Sequence, residues 1–147
     1  MTSLFLGISV IDRTSMNGWL DANFREADHA SGRKKIVMAG LWAEACVLFP
    51  TLDMIKEGFE VYIPGDACGD VSVEAHERAM GRAVQAGAVP ITSLQYVFEL
   101  QQDWARTETC EGVMEILRAH SPYGIQVRFS KWALGEHASE AGGARAV

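Results

Sequence analysis

The segment KIVMAGLWAEAC (residues 35–46) decides how this chain folds. Ile36, Val37 and Met38 stand side by side, as in a strand covered on both faces. Gly40 ends that run. Six residues later Cys46 opens a stretch in which Val47, Leu48, Leu52 and Ile55 recur at helical spacing up to Gly58. Pro50 lies inside this stretch and should kink the helix or delay its regular part. A thiol at such a strand-to-helix junction sits where unpaired N–H groups and partial positive charge gather. Both favour a thiolate nucleophile, and the same N–H groups suit the oxyanion of an acyl intermediate. The competing reading is a small apolar residue packed at the junction, since cysteine is among the most buried residue types.

Working outward, the pattern repeats. Asp21 is an N-cap for a helix over residues 21–31, with Phe24, Ala27 and Ala30 on one face and Gly32 as its stop. Residues 59–63 alternate aromatic and β-branched side chains and close in the turn PGDACGD. Ser72 begins a helix running to about residue 85, residues 88–92 form a third strand, and residues 93–104 form a helix bearing Leu94, Val97, Phe98 and Leu100. A further helix over residues 111–119 precedes an edge strand at 125–129. Strand and helix in strict alternation, joined by short loops, imply right-handed crossovers and a parallel sheet in one domain over residues 1–135. The small, polar tail at 136–147 reads as disordered.

Composition narrows the function classes. The 147 residues are 48% hydrophobic and carry a net charge of −6, which suits a packed core and no nucleic-acid face. No apolar run approaches the ~20 residues needed to span a bilayer. The opening MTSLFLGISVIDRT lacks the basic start and small-residue cleavage site of a signal peptide. Three cysteines, Cys46, Cys68 and Cys110, make an odd set without CxxC spacing, the profile of a reduced, cytoplasmic protein. The histidines at 29, 76, 120 and 137 have no partner at i+4, so spacing argues no metal site, and only a zinc pair assembled in space is left as a minor alternative.

In a parallel α/β sheet ligands collect beyond the carboxyl ends of the strands. That edge should hold residues 40–46, 64–70 and 92–93. Asp66 and Asp70, flanking Cys68, are candidates to orient a substrate or a base. Satisfying turn N–H groups is the more ordinary role for both. His76 reads as capping or packing. Trp19, Trp104 and Trp132 read as core or interface anchors, whereas Trp42 stands directly in the turn before the cysteine. GDACGD is too short and wrongly placed for a nucleotide-binding loop.

Taken together, VMAGLWAEACVLFPTLDMIKEGFEVYIPGDACGD, the following SVEAHERAMGRAVQAGAVPIT, the preceding DRTSMNGWLDANFREADHASGRKK and the later FELQQDWAR resemble the isochorismatase-like cysteine hydrolase superfamily, in its YcaC-type branch. The resemblance covers residues 11–106 and extends towards 129. It implies a three-layer α/β/α fold around a mostly parallel sheet, a small-molecule substrate, homo-oligomers, and hydrolysis of an amide or related C–N bond without a cofactor. By the same resemblance Cys46 is the nucleophile. The Leu41–Trp42 bond falls where the family has a non-proline cis peptide, and the N–H groups of Trp42 and Cys46 form the oxyanion hole.

The family completes its site with an Asp on its first strand and a Lys. The Asp position lies upstream of the matched region. The Lys position falls beside Asp12 and Arg13, while the first lysine here is Lys34. Arg13 is therefore the candidate cation, although arginine and lysine are not equivalent donors. On this reading the chain is the later part of such a hydrolase, lacking its opening strands, with weak or no turnover expected alone. The alternative is a non-catalytic remnant that assembles with itself or with a complete paralogue, and a weaker third option is a binding module without chemistry.

Overall fold

A computed structural model of the chain describes residues 10–121. They belong to two compact units, one within Met1–Ser93 and one within Leu94–Val147. In chain order the elements are α1 (Ala22–Ala30), β1 (Lys35–Val37), β2 (Gly40–Leu41), α2 (Leu48–Lys56), β3 (Glu60–Pro64), β4 (Cys68–Gly69), α3 (Val73–Ala86), β5 (Val89–Ile91), α4 (Ser93–Gln101) and α5 (Thr107–His120). The opening residues 4–9, the edge strand expected at 125–129 and the tail at 136–147 lie outside the described residues.

The first unit is an α/β fold. Among the described residues its sheet has the order β1-β3-β5 with every pair parallel; Ile36 lies opposite Val61, and Ile63 opposite Pro90. A second parallel pair joins β2 to β4, with Gly40 opposite Cys68 and Leu41 opposite Gly69. The alternation over residues 59–63 works as expected, for Val61 and Ile63 are buried while Glu60 is exposed. Helices α2 and α3 lie against each other and against the sheet. The small Ala79 and Ala83, one helical turn apart and both buried, allow α3 to approach closely.

Sequence cues for the helix ends hold at both N-caps. Asp21 accepts the Phe24 N–H at 3.1 Å, and Ser72 accepts the Ala75 N–H at 3.1 Å. Gly87 closes α3 with a φ of 108°, open to glycine at little cost. Two expectations change. The run at 36–38 is not sealed on both faces, because β1 is an edge of the described sheet and Val37 stays 41% exposed. No residue of α1 is fully buried; Phe24 alone of its expected face is half-buried, set edge-on against Trp19 at 6.2 Å.

Trp19 is the anchor of the segment before α1. It is 1% exposed, meets Phe59 edge-on at 5.3 Å, and donates its indole N–H to Glu57 at 2.7 Å. Beside it Asn17 donates to Asp53 at 2.7 Å. Hydrogen bonds from Lys56 and then Asn17 hold the Asp53 carboxyl below the usual aspartate range. A depressed folded-state pKa means this contribution is complete above the ordinary aspartate value and is lost as pH falls through the folded one.

The described residues of the second unit form a pair of helices. The helix expected over 93–104 stops at Gln101, because Gln102 turns to a φ of 57°. Gln101 is 4% exposed and ties the connection together: its amide donates to the Asp103 and Arg106 carbonyls at 2.8 and 3.2 Å, and it accepts from Thr109 at 2.7 Å. Helix α5 starts at Thr107, four residues earlier than the apolar spacing suggests, with Glu108 in its first turn.

Met54 is fully buried on α2 beneath β3. Met54→Ala is expected to lower stability by about 2–5 kcal/mol, seen as a fall in the urea midpoint with an unchanged slope.

Candidate active site

The site is built where β1, β2, β3 and β4 end. After Val37 the chain crosses to β2, and Trp42 then reverses it into the helical segment that carries Cys46. The first turn of that segment, Ala43–Val47, is a wide π-type turn; regular α-helix begins only at Leu48. Pro50 accounts for part of this. It has no N–H to give the carbonyl four residues back, that of Cys46, so the regular ladder is delayed as the sequence suggests. Ala43 and Val47, 0% and 1% exposed, root the turn in the core, leaving Cys46 half-buried between them.

The reversal is made differently from the family-based expectation. The described residues contain no cis peptide, so the Leu41–Trp42 bond is trans. Trp42 carries the change of direction itself, with φ 55° and ψ 71° in the left-handed region, an uncommon conformation for a residue with a side chain. The Trp42 carbonyl accepts two N–H groups, from Ala45 at 3.0 Å and Cys46 at 2.9 Å. The Cys46 N–H expected in an oxyanion hole is therefore engaged with Trp42. The Trp42 indole is 60% exposed.

Arg13 is turned onto its own loop. Its guanidinium donates to the Ser15 carbonyl and packs over Gly18, where a Cβ would lie 3.4 Å from its Nε.

The carboxylates at the end of β3 do satisfy N–H groups, and the structure adds partners that spacing alone does not reveal. Asp66 accepts the backbone N–H of Ser93 at 2.7 Å and its hydroxyl at 3.1 Å, at the last residue of the first unit. Asp70 has a side chain only 1% exposed. One of its oxygens accepts the Glu44 N–H at 3.1 Å and the other meets His76 Nδ1 at 3.1 Å. His76 is thus the partner of a buried carboxylate rather than a helix cap. The other ring nitrogen of His76, Nε2, lies beside Gly65, 3.7 Å from where a Cβ would be. An open cleft of about 270 Å³ lies here, lined by Gly65, Cys68, Asp70, Ser72, Val73 and His76.

Pairing of β2 with β4 joins this cleft to the Cys46 turn. It is the feature sequence reading missed, since two-residue strands have no periodicity. The one available cue is Gly69, where a Cβ would come within 2.8 Å of Leu41 Cδ2. Cys68 sits in this pairing. Burial pushes its thiol pKa up, the Gly40 backbone hydrogen bond pulls the other way, and the charges of Asp70 and Asp66 add to the rise. Among the described residues no group of three or more His, Cys, Asp or Glu is arranged to hold a metal ion.

A raised pKa leaves Cys68 as the neutral thiol. Its labelling by iodoacetamide is expected to climb only above pH ~8.5, where a free thiol is already half ionised, as read by peptide mass spectrometry across pH.

Comparison with known proteins agrees with this architecture. The isochorismatase domain family matches residues 4–95. The probable hydrolase YcaC of Escherichia coli K12 is 35% identical over 108 residues, covering 74% of this chain and 51% of that protein. Human isochorismatase domain-containing protein 2 is 28% identical over 98 residues, 67% of this chain and 47% of its own length. Among solved structures, YcaC of Pseudomonas aeruginosa with hexane-2,5-diol and covalent acrylamide superposes with a TM-score of 0.82 at 30% identity, over 90% of this chain and 65% of that one. The E. coli YcaC gene product, described as an octameric hydrolase of unknown specificity, gives the same TM-score, 0.82, and the same identity and coverage. The chain spans about half the length of the curated relatives it matches. On a family match across more than half its residues and on this shared α/β fold, the chain belongs to the isochorismatase family, in its YcaC-type branch.

Proposed function

We propose that this chain carries the cysteine nucleophile of an isochorismatase-type hydrolase acting on an amide or related C–N bond of a small molecule. The observation that carries the reading is the placement of Cys46. It stands on a core-anchored wide turn, directly after a left-handed residue, at the carboxyl end of parallel strands. In the proposed reaction the Cys46 Sγ bonds to the carbonyl carbon and the C–O π pair moves onto oxygen. The tetrahedral species collapses with cleavage of the C–N bond, the nitrogen leaves as the protonated amine, and water releases the acid from the thioester.

The proton for the leaving nitrogen is the weak point for this chain. The Arg13 guanidinium is engaged with the Ser15 carbonyl. Weak turnover is therefore the expectation for this chain.

A second reading is an interaction subunit that assembles with itself or with a complete paralogue. Exposed apolar side chains around the β2–β4 pair favour it: Leu41 is 77% exposed, Val71 70% and Val73 75%. The octameric state of the E. coli relative supports assembly under either reading. Cys46, Cys68 and Cys110 are all free thiols, which suits a reducing cytoplasm. No described helix is long and apolar enough to cross a membrane.

Acrylamide is the probe of choice, because it is held covalently in the P. aeruginosa relative. At pH 7 Cys46 should form the adduct at least about tenfold faster than Cys110, and Cys46→Ser should remove that fast phase. Equal rates at the two cysteines would leave the interaction subunit as the better reading, to be followed by light scattering for assembly mass.

A further inference from the structure

Resting on the nucleophile reading of Cys46, we infer that Asp70 and His76 are positioning residues, a buried clamp that sets the first turn of the Cys46 segment from the neighbouring strand end. The two oxygens of Asp70 divide the work. One accepts the N–H of Glu44, second residue of the wide turn, and the other accepts from His76 Nδ1 on α3, both at 3.1 Å. Because the Asp70 side chain is 1% exposed, losing either donor leaves a buried carboxylate underpaired. His76 is the support: 28% exposed and fixed on the 14-residue α3, it holds the carboxylate at the angle that reaches Glu44.

The turn needs such a clamp for a local reason. An α-helix leaves its first four N–H groups without intrahelical partners. Here the residue before the turn, Trp42, supplies no side-chain cap, and its carbonyl is occupied by Ala45 and Cys46. The Glu44 N–H is taken by Asp70, 26 residues away in sequence. The clamp thus does the work of an N-cap, but from another strand end. It links the placement of Cys46 to the state of the His76 cleft.

The test pairs two readouts on the full chain. Amide hydrogen exchange at Glu44 reports the clamp. Acrylamide labelling of Cys46 relative to Cys110 reports its effect on the thiol. His76→Ala should speed Glu44 exchange by about tenfold and slow relative Cys46 labelling by about threefold or more. His76→Asn should restore both to within about twofold, because the asparagine amide nitrogen is attached at the same side-chain position as Nδ1. Asp70→Asn should resemble His76→Ala, as one amide oxygen cannot serve two donors aimed at different positions. If Asp70→Asn does not fold, the His76 pair decides. Glu44 exchange unchanged in His76→Ala, equal behaviour of His76→Ala and His76→Asn, or faster Cys46 labelling in either Ala or Asp70→Asn variant overturns the clamp. Wild-type Cys46 labelling no faster than Cys110 instead overturns the nucleophile reading, and Glu44 exchange alone then judges the clamp.

Discussion

Strand β3 is hydrogen-bonded along both edges, to β1 and to β5, and that constraint fixes where the chain emerges on the functional side. Parallel neighbours must all end on the same side of the sheet, so the loops leaving β1 and β3 rise next to one another. Burial of Val61 and Ile63 holds β3 in register, since a slip by one residue would turn both toward the wrong face. Everything at the candidate site hangs from that alignment. The loop leaving β3 brings Cys68–Gly69 beside Gly40–Leu41, and the same loop delivers Asp66 to Ser93 and Asp70 to Glu44.

This arrangement gives the two aspartates different fates despite their closeness in sequence. Asp66 accepts the Ser93 N–H and hydroxyl at the surface, the ordinary work of an exposed aspartate at a chain turn. Asp70, buried and shared between a backbone amide and an imidazole, couples two elements that have no contact in sequence. A buried carboxylate is tolerated only when its oxygens are matched to donors, and here each oxygen has one. The difference between the residues comes from depth, not from residue type.

Much of this was legible in the sequence. Asp21 and Ser72 stood three residues before the amides they cap, and the alternation in residues 59–63 marked the buried faces of β3. The family resemblance, carried by the residues around Cys46, agrees with the domain match. Other features could not be read, for physical reasons that differ case by case. Coverage of a strand depends on its neighbours, so the apolar run at 36–38 did not reveal that Val37 would be partly exposed on an edge. The left-handed Trp42 has no propensity signature, and the trans bond before it departs from what the resemblance implied. The Glu44–Asp70 contact spans 26 residues and involves a backbone atom, to which side-chain identity at position 44 is blind. For Arg13, a chemically suitable side chain near the right place in sequence was turned to its own loop by Gly18 and the Ser15 carbonyl.

The strained entry to the Cys46 segment bears on how this chain can change. A non-glycine residue in the left-handed region carries a conformational cost of order 1–3 kcal/mol, and here it leads into a π turn, a rare departure from the α ladder. Both are sustained by the core beneath, where Ala43, Val47 and Leu48 are at most 4% exposed. Glycine at position 42 would adopt the same left-handed angle without that cost, so it would relieve the strain while keeping the direction of the turn. What it would give up is the indole, 60% exposed beside the Cys46 turn. A lineage that kept the fold while abandoning the chemistry would be expected to lose the tryptophan before it lost the left-handed turn.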